Sequence, residues 1–66
     1  MTPKERLIKR IQNLNWGDIL FGYDKNGKLI NINDYNEETD TFNAYGKDSK
    51  CFDIKFEDIP SKLYRA

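Results

Sequence analysis

The sequence predicts a small, mainly β domain of the α+β class: an N-terminal helix followed by a curled antiparallel sheet or small barrel of four to five strands. Apolar residues recur at helical spacing at Leu7, Ile8, Ile11 and Leu14. Beyond Trp16 the period changes to strand-like alternation, at Ile19, Phe21 and Tyr23 and again at Phe52, Ile54 and Phe56. Tight-turn signals, Asn26-Gly27 and Gly46-Lys47-Asp48-Ser49, separate the alternating runs. A period near 3.6 buries one stripe of a helix, whereas a period of two buries one face of a sheet.

The helix is expected over residues 3–13. Thr2 can cap it, Pro3 needs no amide hydrogen in the first turn, and Glu5 stands where a capping box requires a carboxylate. The apolar residues fall within about 120° of the helical wheel, with Arg6, Lys9 and Arg10 opposite. Asn13 and Asn15 continue a helix poorly, so Trp16-Gly17-Asp18 reads as the change of direction into the sheet.

Strands are expected over residues 19–24, 28–33, 41–45 and 50–56. In the first, Ile19, Phe21 and Tyr23 share a side and Leu20 and Gly22 the other. Asn26-Gly27 reverses the chain because both residue types tolerate positive φ. The second strand sets Ile30 and Ile32 against Leu29, Asn31 and Asn33, and residues 34–40 read as a polar loop. Phe42 and Ala44 are expected to face inward from the third strand. The fourth points Phe52, Ile54 and Phe56 one way and Cys51, Asp53 and Lys55 the other. Pro60 lacks a ladder donor, so residues 57–66 form a turn and a tail in which Leu63 and Tyr64 pack back.

The chain has 66 residues, enough for one domain, 1–66, near the size where apolar burial only just exceeds chain entropy. Oligomerisation or a partner can supply the difference. There is no Val, and Phe21, Phe42, Phe52 and Phe56 are expected to fill the core. Eleven basic and eleven acidic residues cancel, which argues against a basic nucleic-acid tail and an acidic DNA mimic. Residues 2–12 nevertheless carry Lys4, Arg6, Lys9 and Arg10 against Glu5 alone, giving the helix a basic outer face.

Catalytic signatures fail one by one. There is no His and only one Cys, so Cys51 lacks an activating base, an intramolecular disulfide partner and a metal-ligating mate. Cys51 is expected to be partly buried on the second sheet face or against the helix. Asp24-Lys25-Asn26-Gly27-Lys28 begins like a calcium loop, but Leu29 replaces the glycine and Tyr35 the bidentate Glu. Neither a catalytic residue nor a metal or other cofactor is expected. The N-terminal segment is charged and amphipathic, so no membrane span or secretory signal is expected and the cytoplasm is the expected compartment.

Gly17-Asp18-Ile19-Leu20, Tyr35-Asn36-Glu37-Glu38-Thr39 and Phe56-Glu57-Asp58-Ile59 resemble the start of a strand, a central turn and a strand exit of SH3-like and Sm-like small barrels, a resemblance spanning residues 16–60. It implies a barrel that binds protein, peptide or nucleic acid, or that mediates assembly, without choosing a ligand.

The expected function is a non-enzymatic protein-interaction module, an accessory or inhibitor acting on a larger protein, or a chain that forms a homo-oligomer. Tyr35, Glu37, Glu38 and Tyr45 are its candidate contacts, because each tyrosine borders a polar loop and an aromatic anchor with a polar rim is a common binding design. The alternative is a nucleic-acid-binding module in which Lys4, Arg6, Lys9 and Arg10 contact phosphates while Tyr23 or Tyr45 stacks on a base.

Overall fold

A computed structural model describes residues 1–66. Helix α1, Pro3–Gln12, starts as its sequence dictates. The Glu5 N–H donates to the Thr2 hydroxyl and the Thr2 N–H to the Glu5 carboxylate, both at 3.2 Å. This reciprocal cap satisfies two otherwise orphaned donors and is worth about 1 kcal/mol. Asn13 is the C-cap rather than the last helical residue. Leu7 and Ile11 are buried, Ile8 and Leu14 pack half-buried beside them, and Arg6, Lys9 and Arg10 face outward.

Five antiparallel strands follow: β1 (Leu20–Tyr23), β2 (Leu29–Asn36), β3 (Thr41–Tyr45), β4 (Cys51–Ile54) and β5 (Tyr64–Arg65), with a 3₁₀ turn at Phe56–Asp58. Their order is β4-β3-β2-β1-β5. The sheet is open, with β4 and β5 as its edges: of the two forms expected, the antiparallel sheet is present and the closed barrel that the SH3-like resemblance implies is not. Between those two strands the chain lies against the core, and Phe56, Ile59 and Leu63 cover the inner face together with α1. The inner face is thus closed by side chains from a helix and a crossing segment, without a β4–β5 ladder.

The core consists of Leu7 and Ile11 from the helix with Leu20, Ile30, Ile32, Phe42, Ala44 and Ile54 from the sheet. A cross-strand row, Leu20·Ile32·Ala44·Phe52, spans its centre. No polar side chain is buried.

Strand β1 reverses the expected orientation: Leu20 and Gly22 face the core, whereas Phe21 and Tyr23 face away. The cause is Gly22, which admits the backbone of the crossing segment; a Cβ built there lies 2.8 Å from the Lys62 carbonyl. Counting glycine as an outward residue puts the larger side chains inside, but here glycine is the space into which Pro60–Leu63 fits.

Strand β2 runs on to Asn36 instead of ending at 33. Its register shifts between Ile32 and Asp34, leaving Asn33 as an extra residue. An inserted residue exchanges the two faces beyond it. Tyr35 consequently joins Ile30 and Ile32 on the inner side, opposite Phe42, while Asp34 and Asn36 face outward. The polar segment read as a loop is therefore half strand.

Strand β4 ends at Ile54, and Phe56 belongs to the 3₁₀ turn, packed half-buried with its ring 6.4 Å from that of Phe42. Phe52 shares the inner side with Ile54 but remains 37% exposed because β4 is an edge. Cys51, expected to be partly covered, is exposed. Tyr64 does not pack inward with Leu63; it forms β5 and joins the outer face.

In the first hairpin only Gly27 has positive φ, +78°. The Gly27 N–H donates to the Asp24 carbonyl and the Asp24 N–H to the Lys28 carbonyl, a three-residue loop ending in a left-handed glycine rather than a two-residue turn. Asn26 instead donates its N–H to the Asp24 carboxylate at 2.8 Å.

Candidate interaction face

With α1 and the crossing segment on the inner side, the outer side of the sheet is left bare. Its central row, Tyr64·Phe21·Asn31·Tyr45·Cys51, crosses all five strands. Strand pairing places Tyr23 beside Leu29 in the next row. The Phe21 ring stacks on Tyr64 at 5.4 Å and meets Tyr23 edge-on at 6.3 Å. Such contacts preorganise the rings at about 0.5–1.5 kcal/mol per pair. Tyr23 nevertheless remains 54% and Tyr64 42% exposed, so the cluster is an aromatic surface rather than a second core. The Lys62 ammonium lies 5.6 Å from the centre of the Tyr64 ring, and Asn31 Nδ2 donates to the Tyr45 carbonyl at 3.2 Å.

Charge is segregated along the strands. The β1–β2 and β3–β4 turns meet at one end of the sheet, where a Cβ built at Gly46 lies 3.7 Å from the Leu29 carbonyl and 3.8 Å from Lys28 Cε. They carry Lys25, Lys28, Lys47 and Lys50. The intervening carboxylates are held by the turn backbone: Asp24 accepts the Lys28 N–H at 2.9 Å and Asp48 the Lys50 N–H at 3.1 Å. At the opposite end, the row Asp34·Asn43·Asp53 and the β2–β3 turn residues Glu37 and Glu38 line a shallow polar concavity. The molecule's two ion pairs, Lys4–Asp40 and Arg65–Asp18, use none of these groups.

The residues singled out from the sequence separate onto different surfaces. Tyr35 lies on the inner side with its ring centre 4.8 Å from that of Phe42, and its hydroxyl donates to Asp40 at 2.7 Å. Glu37 and Glu38 are exposed, and Tyr45 is half-buried on the outer face. Tyr35 and Tyr45 therefore do not form one patch. On the helix, Lys4 is paired with Asp40, leaving Arg6, Lys9 and Arg10 free. Those cations lie on the helical layer, across the sheet from Tyr23 and Tyr45, so the basic helix and these aromatics do not converge. The Phe21–Tyr23–Tyr64 cluster is not legible in the sequence, because local alternation sets the large Phe21 and Tyr23 inward and Gly22 outward. Trp16 projects fully into solvent from the connection between α1 and β1. No group of three His, Cys, Asp or Glu side chains is placed to hold a metal ion, and no helix is long and apolar enough to cross a membrane.

Three carboxyls sit below their ordinary pKa. Hydrogen bonds from Lys4 and then Tyr35 lower Asp40, a hydrogen bond from Arg65 lowers Asp18, and the Thr2 N–H and hydroxyl lower Glu5. A depressed folded-state pKa contributes stability above the unfolded value, and that contribution disappears as pH falls through the folded value. The thermal midpoint is therefore expected to be level from neutrality to about pH 5 and to fall below about pH 4. Asp40→Asn should lower the midpoint at pH 7 and flatten the acid decline, as measured by circular dichroism melts across pH. An unchanged decline removes Asp40 from this account.

The fold and face define a class: a two-layer α+β domain with one sheet face closed by a helix and the other bare, aromatic and charged at its ends. Compared with known protein families, curated proteins and solved structures, the chain matches none.

Proposed function

We propose that this chain is a non-enzymatic protein-interaction module, an accessory or inhibitor domain that engages a protein partner through the outer face of its sheet. The observation that carries the reading is the outer-face cluster in which half-buried Phe21 holds the exposed Tyr23 and Tyr64. Tyrosines bury large area at low entropy cost and are enriched among residues that dominate binding energy. Glu37 and Glu38 keep the rim role suggested by the sequence, Tyr45, expected as an anchor, flanks the cluster instead, and Tyr35 packs on Phe42. An exposed, unpaired Cys51 suits a reducing compartment such as the cytoplasm.

Tyr23→Ala combined with Tyr64→Ala is expected to weaken a partner complex at least about tenfold, equivalent to about 1.4 kcal/mol, while leaving the fold's circular dichroism spectrum intact. Arg6→Ala with Arg10→Ala, on the other layer, should leave the complex unchanged. Equal binding by the tyrosine variant and wild type overturns the reading. Lys62 over Tyr64, near the turn lysines, supports nucleic-acid binding as a second reading, because aromatic and basic groups together favour single strands. Titration with a labelled single-stranded oligonucleotide at rising sodium chloride separates the two, since phosphate contacts impose a steep salt dependence.

A further inference from the structure

We infer that the outer face is self-complementary and that the protein it engages is a second copy of this chain, an inference that rests on the outer face being the interaction surface. Along the strand direction the face runs from Lys25, Lys28, Lys47 and Lys50, across the Phe21–Tyr23–Tyr64 cluster, to the acidic end at Asp34, Asp53, Glu37 and Glu38. A two-fold axis lying in the face and perpendicular to the strands reverses this direction in the second copy. It sets the lysine end of each chain over the acidic end of the other and brings the aromatic clusters together. One patch thereby serves both partners, as an isologous interface requires.

The charges also select this orientation. With strands of the two copies parallel, lysines would face lysines and carboxylates would face carboxylates; with them antiparallel, both ends attract. Zero formal net charge leaves no overall repulsion between copies. A nucleic-acid strand could use the lysine end and the aromatics, but its phosphates would be repelled where the face becomes acidic. A second copy uses both ends.

Strands spaced at about 4.8 Å and rising about 3.3 Å per residue give the ordered part of this face about 400 Å². Even with the turns added, that is below the roughly 800 Å² per partner of a stable interface. The expected association is consequently micromolar, visible at the upper end of ordinary protein concentrations and weakened by salt.

Sedimentation equilibrium of the full chain up to about 0.5 mM should show a monomer–dimer equilibrium, with Kd in the range of about 1–500 µM. Lys47→Glu with Lys50→Glu should weaken dimerisation at least about tenfold, as should Glu37→Lys with Glu38→Lys. Mixing the two doubly substituted proteins should restore a heterodimer, because it sets the unaltered acidic end of one chain over the unaltered lysine end of the other, a contact neither variant can make with itself. Circular dichroism confirms folding of each variant, and all substitutions lie in exposed turns. A wild-type protein that stays monomeric overturns the inference, as does a dimer indifferent to both charge reversals. If the wild type is monomeric yet Tyr23→Ala with Tyr64→Ala abolishes a complex with another protein, the interaction-module reading survives and self-association alone fails. A monomer whose Tyr23 and Tyr64 resonances respond to a single-stranded oligonucleotide in a salt-sensitive way assigns the face to nucleic acid and overturns both.

Discussion

Phe42→Ala is expected to remove about 3–5 kcal/mol, the usual cost of emptying a buried aromatic site. Phe42 is 0% exposed, pairs across the sheet with Ile54, and holds its ring against those of Tyr35 and Phe56. Its ring therefore connects the sheet, the β2–β3 end and the 3₁₀ turn. At about 0.05–0.15 kcal/mol per residue, a domain of this length has about 3–10 kcal/mol in total. The substitution should leave the protein unfolded or nearly so at room temperature, seen as lost cooperativity in urea melts followed by circular dichroism. Phe42→Leu, which retains most of the volume, should keep a cooperative transition. A loss under about 1 kcal/mol for the alanine variant would contradict the central position given to this ring.

Gly22→Ala tests the other decisive packing event. In an ordinary strand, exchanging Gly for Ala stabilises by about 0.5–1 kcal/mol. Here the new methyl meets the Lys62 carbonyl at 2.8 Å, Leu63 Cδ2 at 3.0 Å and Pro60 Cβ at 3.1 Å. A backbone oxygen cannot rotate away as a side chain can, so the crossing segment must move. Movement there loosens β5, including the paired hydrogen bonds between Ile19 and Ala66 at 3.0 and 2.8 Å. Destabilisation of about 1–3 kcal/mol is expected, with faster amide exchange at Ile19 and Ala66. The sign is decisive: a higher thermal midpoint for Gly22→Ala would show that the segment does not pack against Gly22.

Both experiments probe positions at which sequence and structure stand in different relations. Phe42 was legible because β3 alternates strictly and its inward positions are apolar. The same applies to Ile30, Ile32 and Ala44, and to α1, whose cap and stripe are local. Gly22 was not legible, because its role belongs to residues about 40 positions later in the chain. The bulge at Asn33 was hidden for a related reason: it is defined by where β3 pairs, and nothing in Asn31-Ile32-Asn33-Asp34 marks the inserted residue.

The candidate site shows the same division. Glu37, Glu38 and Tyr45 are recognisable as surface candidates from their neighbouring turns, but Tyr35, expected as a surface contact in a polar loop, lies on the inner side because β2 continues past residue 33 and its bulge exchanges faces beyond Ile32. Phe21, Tyr23 and Tyr64 became a patch only when Gly22 admitted the crossing segment and β5 paired with β1. Sequence by itself determined the class, the helix and its cap, the hairpin order and most of the inward residues of β2 and β3, since these follow from hydrophobic period and turn chemistry within a few residues. Only the tertiary structure decided that the sheet stays open, which face of β1 is buried, and how aromatic and charged residues share the outer face. Those outcomes depend on contacts between segments distant along the chain, where close backbone approach and strand register outweigh the local pattern.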